Sequence, residues 1–393
     1  MILTIDFIQI NLIFLEMRIK YMFEKVLIIS NISTSLINFR GELIKKWIDL
    51  DYEVYTLSPE YKSHHRDILK SWGVKTVEYN LNRSGLNPFK DLKSLIDLAN
   101  EIKEINPDYI LAYTIKPVVF SSLISKQIKL KGMYSLIPGL GYAFNDGGFK
   151  NKVVNKIAVL LYNISLKNNN KVFFQNPDDL NLFVDLNLID RKKTVLVNGS
   201  GVDTNEYYNT DPQIEKVSFI IMARLLKSKG IIEYIKAAEI IKNKYTEAEF
   251  TILGSPGSGP DAVDMNYVDQ AVKKGVIDYP GRVEDVKSYI AQSSVYVLPS
   301  YYREGTPRSI LEAMSMGKPI ITTDNPGCRE TVVDGKNGFM IPTKDHKILA
   351  EKMKYFIENR EAIVKMGKES RKIAEEKYDV HKVNKKIIEN MDL

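Results

Sequence analysis

Val295-Tyr-Val-Leu-Pro-Ser-Tyr-Tyr-Arg-Glu-Gly-Thr-Pro-Arg-Ser-Ile-Leu-Glu-Ala313 is a short apolar run, a polar loop and the start of an amphipathic helix in nineteen residues. Val295 to Leu298 predicts a buried strand. Thr306 is a good cap and Pro307 a good first helical residue, so the helix is expected to start at Pro307 with its free amides turned toward the strand's carboxyl end. The same strand–loop–helix unit recurs on both sides. Upstream, Val26 to Ser30, Glu53 to Leu57, Lys75 to Tyr79, Tyr109 to Ala112, Gly132 to Ile137 and Lys171 to Phe174 predict one parallel series. Val217 to Met222, Glu249 to Leu253, Val276 to Tyr279, Val295 to Leu298 and Pro319 to Thr322 predict a second. The expected fold is therefore α/β, two doubly wound Rossmann-like domains. The domains are expected at 25–200 plus 378–393 and at 216–377, joined by a linker at 201–215 that opens with the turn signal Asn198-Gly-Ser-Gly-Val-Asp203. The last helix, Val380 to Met391, has no sheet position left to fill and is expected to cross back onto the first domain.

A chain of 393 residues, 44% hydrophobic and 26% charged, has the length for two real cores and excludes a fibrous or unfolded class. Its single cysteine, Cys328, excludes an internal disulfide and a multi-cysteine zinc site, and points to a reducing compartment. The net charge of +6 sits in the N-terminal half, where 26 Lys and Arg face 20 Asp and Glu; residues 201–393 carry 29 of each. Between Lys116 and Lys171, nine lysines accompany one acid, Asp146. The amphipathic stretch Phe149 to Lys171 within that run suits an anionic membrane surface, its apolar positions serving equally well as core. No interleaved aromatic platform accompanies the lysines, so nucleic acid is not expected as a partner. Residues 1–24 form an N-terminal extension too broken by charge to span a bilayer and without the layout of a secretory signal; Met17 or Met22 is the expected true start.

In open parallel sheets, ligands bind beyond the carboxyl ends of the strands. There Arg224 and Lys229 follow Val217 to Met222, two cations suited to a diphosphate or simply solvated at a helix start. Glu304 precedes the expected helix and Glu312 lies in it. Such a pair can hydrogen-bond sugar hydroxyls, or serve only as a dipole-complementing acid and a helix-surface charge. Gly139-Leu-Gly141 follows a strand and fits either a close approach of backbone to ligand or a tight turn. Asp49-Leu-Asp51 falls at a helix-to-strand turn and is read as solvated, so no metal is expected.

Glu304 to Glu312 spaced as Glu-x7-Glu, with Ala223-Arg224-x4-Lys229-Gly230, Gly254, Gly281-Arg-Val-Glu-Asp285 and Asn198-Gly-x-Gly-Val-Asp203, resembles the family 4 retaining glycosyltransferases of the GT-B fold, over residues 25 to 390. Phe39-Arg40, Arg83-Ser-Gly-Leu-Asn-Pro-Phe89, Gly139-Leu-Gly141 and Gly148-Phe-Lys150 are similar to bacterial enzymes that add N-acetylgalactosamine or a related sugar to undecaprenyl-diphosphate-linked saccharides. The resemblance implies two domains facing a cleft and Arg224 and Lys229 on the donor diphosphate. It also implies Glu304 on the donor sugar with the amides of Gly305 and Thr306, Glu312 on the ribose, and the backbone around Val283 on the base, with Gly254 and Leu311 completing the donor site. It implies a nucleotide sugar, with UDP expected, a polyprenyl-diphosphate-linked saccharide as acceptor, no cofactor, retention of configuration, and a place on the cytoplasmic face of the membrane. Many members carry a histidine after the fourth strand, whereas Ala112-Tyr-Thr-Ile-Lys-Pro117 has none. Arg40 and Lys116, with Gly139 and Gly141, remain as acceptor contacts or structural residues. A UDP-sugar 2-epimerase of the same fold, a transferase with a soluble acceptor, and a non-enzymatic nucleotide-sugar-binding module are the alternatives.

Overall fold

The structure, a computed structural model, describes residues 23–82, 87–144 and 149–393. Most of the N-terminal extension, most of Arg83–Asn87, Asp146 and Gly148 thus lie outside the described residues. The first sheet holds β1 (Lys25–Ile29), β2 (Glu53–Ser58), β3 (Lys75–Glu78), β4 (Tyr109–Tyr113), β5 (Gly132–Ile137), β6 (Lys171–Phe174) and β7 (Thr194–Leu196), all parallel in the order 3-2-1-4-5-6-7. The second holds β8 (Ser218–Met222), β9 (Glu249–Leu253), β10 (Asp278–Gly281), β11 (Val295–Leu298), β12 (Ile320–Thr323) and β13 (Gly338–Ile341) in the order 10-9-8-11-12-13, again parallel. In each sheet the order reverses once, between β1 and β4 and between β8 and β11. Those two switch points open onto one cleft.

The sequence reading omits β7 and β13 and sets β10 two residues early. β7 is only three residues long, and β13 is a short apolar run closed in between Gly338 and Pro342, so neither stands out from the loops around it. The central strands do show it: β4 and β5 are buried at every position because helices cover both faces. One face of the first sheet, with Leu27, Ile29 and Ile110, packs on helices Pro88–Ile105, Ile115–Ile124 and Phe149–Ser165. The other, with Val26, Ile28 and Leu111, packs on Leu36, Leu43 and Trp47 of helix Ser33–Asp49.

Helix Val380–Asn390 completes that second face. Val383, Ile387, Ile388 and Met391 join the first domain's core, and the Tyr134 hydroxyl donates to the Met391 carbonyl at 2.7 Å. The crossing is fixed by a two-way backbone pairing, Val202 N–H to Tyr378 O at 2.8 Å and Val380 N–H to Val202 O at 3.0 Å. At roughly 1.5–3 kcal/mol per fully buried aliphatic side chain, this helix contributes a substantial share of the first domain's marginal stability. No helix among the described residues is long and apolar enough to cross a membrane.

Candidate active site

A cleft of about 990 Å³ separates the two sheets' carboxyl ends, walled by Arg224, Lys229 and Glu304 on one side and Arg40, Tyr113 and Thr114 on the other. The loop after β11 carries its centre. Ser300 turns back to donate to the Ser228 carbonyl at 3.2 Å and lies 3.2 Å from Glu304 Oε1. Glu304 forms an ion pair with Lys229, and both side chains are mostly buried, 12% and 15% exposed. Lys229 also lies 5.1 Å from the centre of the Tyr302 ring. Arg224 stands exposed in the cleft with no ion pair among the described residues. Two residues far apart in sequence, on the loops after β8 and β11, thus meet at the second sheet's switch point, with a second cation beside them.

The helix that follows is Arg308–Ser315, one residue later than expected. Pro307 takes the cap position in extended conformation, and Thr306 does not cap. Its hydroxyl instead donates to the Gln175 carbonyl of the first domain at 2.9 Å. Glu312 lines the cleft one turn in, its Oε1 accepting from Arg308 Nε at 2.9 Å. Burial raises the Glu312 pKa above the ordinary carboxylate value, and Arg308 opposes that shift.

The remaining expected residues divide between the cleft and the packing around it. Leu311 is fully buried in the second core. Val283 packs against that core too, while its neighbours Glu284 and Val286 line the cleft. Gly254 sits beneath the Arg224 loop; a β-carbon there would fall 1.9 Å from Ala223 O, so only glycine lets the two loops pack this closely. Lys116 is tied down, donating to Asn82 O at 2.6 Å and to Asp91 at 2.7 Å, and so joins two helices instead of facing the cleft. Gly139 and Gly141 do permit a close approach, but to protein. A β-carbon on Gly139 would lie 2.6 Å from Gly305 N, and one on Gly141 2.8 Å from the Tyr302 hydroxyl. Gly305 is equally constrained, its notional β-carbon 1.8 Å from Pro138 O.

That contact belongs to a clasp which the sequence reading misses. Arg303 Nε donates to Asp179 Oδ1 at 2.8 Å, with Asp179 only 1% exposed. Asn176 donates from its amide to the Glu304 and Gly305 carbonyls at 3.1 and 3.3 Å. Arg329 reaches Asp178 at 3.1 Å. In sequence, Asn176-Pro-Asp-Asp179 signals only a helix start, and Asn176 does cap Pro177–Asp185 by accepting from the Asp179 amide at 2.7 Å. Its second task is invisible without the opposite domain. The buried Cys328, whose thiol burial pushes up to about 12, is no nucleophile. Among the described residues no cluster of three or more His, Cys, Asp or Glu can hold a metal.

Comparison with known proteins agrees with this architecture. Residues 25–176 match the glycosyl transferase 4-like model and residues 210–373 the model of glycosyl transferases group 1. A Campylobacter jejuni N,N'-diacetylbacillosaminyl-diphospho-undecaprenol alpha-1,3-N-acetylgalactosaminyltransferase is 29% identical over 355 residues, 86% of this chain and 91% of that protein. An Escherichia coli UDP-Gal:alpha-D-GlcNAc-diphosphoundecaprenol alpha-1,3-galactosyltransferase is 27% identical over 71% of this chain and 72% of its own length. Among solved structures, Anabaena Alr3699/HepE in complex with UDP and glucose superposes with a TM-score of 0.75 at 18% identity, covering 94% of this chain and 99% of that one.

Proposed function

Because the chain is a glycosyltransferase of GT-B fold, a glycosyl transferase 4-like domain followed by a group 1 domain, we propose that it moves a hexose or N-acetylhexosamine from a UDP sugar to a polyprenyl-diphosphate-linked saccharide. The observation that carries this reading is the Lys229–Glu304 pair with Arg224 beside it at the second switch point. A donor phosphate exchanging with Glu304 for Lys229 would bring its sugar directly against the freed Glu304 carboxylate. The Glu312 carboxylate, further into the cleft, would accept from ribose hydroxyls.

In the reaction the bond between the anomeric carbon and the phosphate oxygen breaks, and its electron pair leaves with the oxygen. Arg224 and Lys229 would stabilise that charge where it develops, so no divalent ion is required for it. The acceptor hydroxyl attacks from the same face, and its proton passes to the departing phosphate oxygen, which retains the donor's configuration. The names of the two relatives support a lipid-linked acceptor and, in one case, a UDP donor.

Such an acceptor sits at a membrane, and one layer of the first domain suits that surface. Helices Pro88–Ile105 and Phe149–Ser165 flank Ile115–Ile124 on the same face of the sheet. Their outward sides expose Phe89, Leu92 and Ile96, and Val153, Leu160 and Ile164, with Phe89 85% and Leu160 59% exposed. Exposed lysines 90, 93, 152 and 156 lie among them. Apolar side chains interleaved with lysines fit a peripheral contact with anionic lipid.

The test is release of UDP from a panel of UDP sugars with and without membrane lipid extract. Release that depends on the extract, and is lost in Glu304→Gln, supports the reading. Interconversion of two UDP sugars without extract would replace it with epimerisation.

A further inference from the structure

The first domain's wall of the cleft holds a cation that the fold leaves without a counter-charge. Arg40, on helix Ser33–Asp49, is 2% exposed, and its guanidinium lies 5.4 Å from the centre of the Tyr113 ring. Its Nε and Nη1 are buried with no hydrogen-bond partner among the described residues, and no carboxylate there forms an ion pair with it. Desolvation lowers its pKa to about 10; Tyr113 opposes that shift, and Arg308 from the other domain reinforces it. A buried ionised group without a partner is among the costliest arrangements a fold can hold, and it is retained where a ligand supplies the missing charge.

The residue after Tyr113 adds a second, independent sign. Thr114 adopts φ 70°, ψ 153°, a region open in practice to glycine alone, and its Oγ1 is buried with no partner among the described residues. It stands at the start of the ten-residue helix Ile115–Ile124 without capping it by its side chain. Ile32, ahead of helix Ser33–Asp49, has no capping side chain either. Two uncapped helix N-termini therefore face the cleft from the first sheet's switch point, where their amides favour an anion. Across the gap, Arg308 lies 5.7 Å from the centre of the Phe39 ring and engages Glu312 through Nε.

We propose that Arg40, Thr114 and Arg308 frame a second anion subsite, of the phosphate or diphosphate class, which takes the diphosphate of the acceptor. The acceptor assignment rests on the lipid-linked acceptor proposed above; the anion subsite itself does not. Arg224 and Lys229 occupy the mouth of the opposite domain, where the donor diphosphate would bind, so the two subsites bring leaving group and acceptor in from opposite walls. The strain at Thr114 and its buried, unpartnered hydroxyl are both costs to the free fold, and an anion bound to that hydroxyl would offset the second.

Titration calorimetry with inorganic pyrophosphate, on protein saturated with UDP, tests the subsite directly. The wild type is expected to bind pyrophosphate with UDP present, and Arg40→Met to bind it about tenfold or more weakly. Thr114→Gly relieves the backbone, so its melting temperature should rise while pyrophosphate affinity falls severalfold. Displacement of pyrophosphate by UDP, with Arg40→Met binding as the wild type does, would overturn the subsite. In turnover, Arg40→Met should raise KM for the lipid-linked acceptor with donor KM unchanged. A rise in donor KM alone would overturn the acceptor assignment. Failure of every lipid extract to accept sugar would overturn the function proposed above and leave the pyrophosphate result standing.

Discussion

Glu304 and Lys229 neutralise one another in the free cleft, and that pairing sets how each responds to substitution. Glu304→Gln leaves Lys229 with an amide in place of a carboxylate, and Arg224→Ala removes a cation that no carboxylate among the described residues offsets. With both residues acting on charge that develops during the reaction, as proposed, kcat should fall roughly 10²- to 10³-fold with folding intact. Wild-type rates in both, read by UDP release, would place the chemistry elsewhere. Glu312 makes a separate prediction. Its pKa is raised by burial, so its carboxylate is lost at a higher pH than an ordinary glutamate's as the solution is acidified. UDP affinity should therefore weaken on acidification before ordinary carboxylates titrate, and calorimetry on Glu312→Gln should show weaker binding without that dependence. Stability runs the other way: a pKa raised in the folded state favours folding below the unfolded value, near 4.5, and this contribution disappears as pH climbs through the raised one. At this scale the position of Arg224, Lys229, Glu304 and Glu312 at the cleft is legible in the sequence, because each follows a recognisable strand. The sequence does not place Leu311 or Lys116. Helical position alone does not separate a core leucine from a cleft leucine, nor a free lysine from one held by Asp91 and Asn82.

Loops and helices show where local signals stop. The loop Tyr302–Thr306 is shaped by its neighbour in the other domain: Asn176 holds two of its carbonyls, Asp179 holds Arg303, and Gly139 leaves room for Gly305. The segment around Thr306 looks like a helix start and predicts a cap; the Thr306 hydroxyl bonds to Gln175 instead, a partner 131 residues away that no local pattern reveals. Asp179→Asn breaks the clasp but touches no substrate, so it should lower kcat severalfold with UDP affinity nearly unchanged. A change confined to KM for the donor would argue against that positioning role. The two lysine-rich helices make the other prediction at this scale. The lysine run marks the second helix in the sequence, whereas Phe89, Leu92 and Ile96 are known to face outward only once Leu98, Ile102 and Ile105 are seen in the core. The double variant Phe89→Glu with Leu160→Glu should lose sedimentation with anionic vesicles while binding UDP as before. Retained sedimentation would exclude this face as the contact.

The molecule as a whole is two parallel sheets joined by a linker, with a final helix that returns to the first. That return was legible because a helix following a complete sheet must bury its apolar stripe somewhere else. Which face it covers was not, since that depends on Trp47 and Tyr134 being left open by their own domain. Ile387→Ala, which empties a fully buried site between helix and sheet, should cost about 2–5 kcal/mol of the first domain's stability, measured by urea unfolding. A loss below half a kcal/mol would mean the helix is docked without bearing on the fold. Chelation offers a further check at this scale: with Arg224 and Lys229 meeting the leaving charge as proposed, transfer should persist in excess EDTA, and a metal-dependent rate would assign that charge to an ion.

In the cleft between the sheets, one sugar is proposed to pass from a nucleotide donor to a lipid-linked saccharide. The most direct measurement is mass spectrometry of lipid-linked saccharides after incubation with the protein, UDP sugars and membrane lipid extract. A gain of one hexose or N-acetylhexosamine on a polyprenyl-diphosphate saccharide, matched by UDP release and absent in Glu304→Gln, is the predicted result. UDP release with the lipid fraction unchanged and a soluble glycan extended would contradict it.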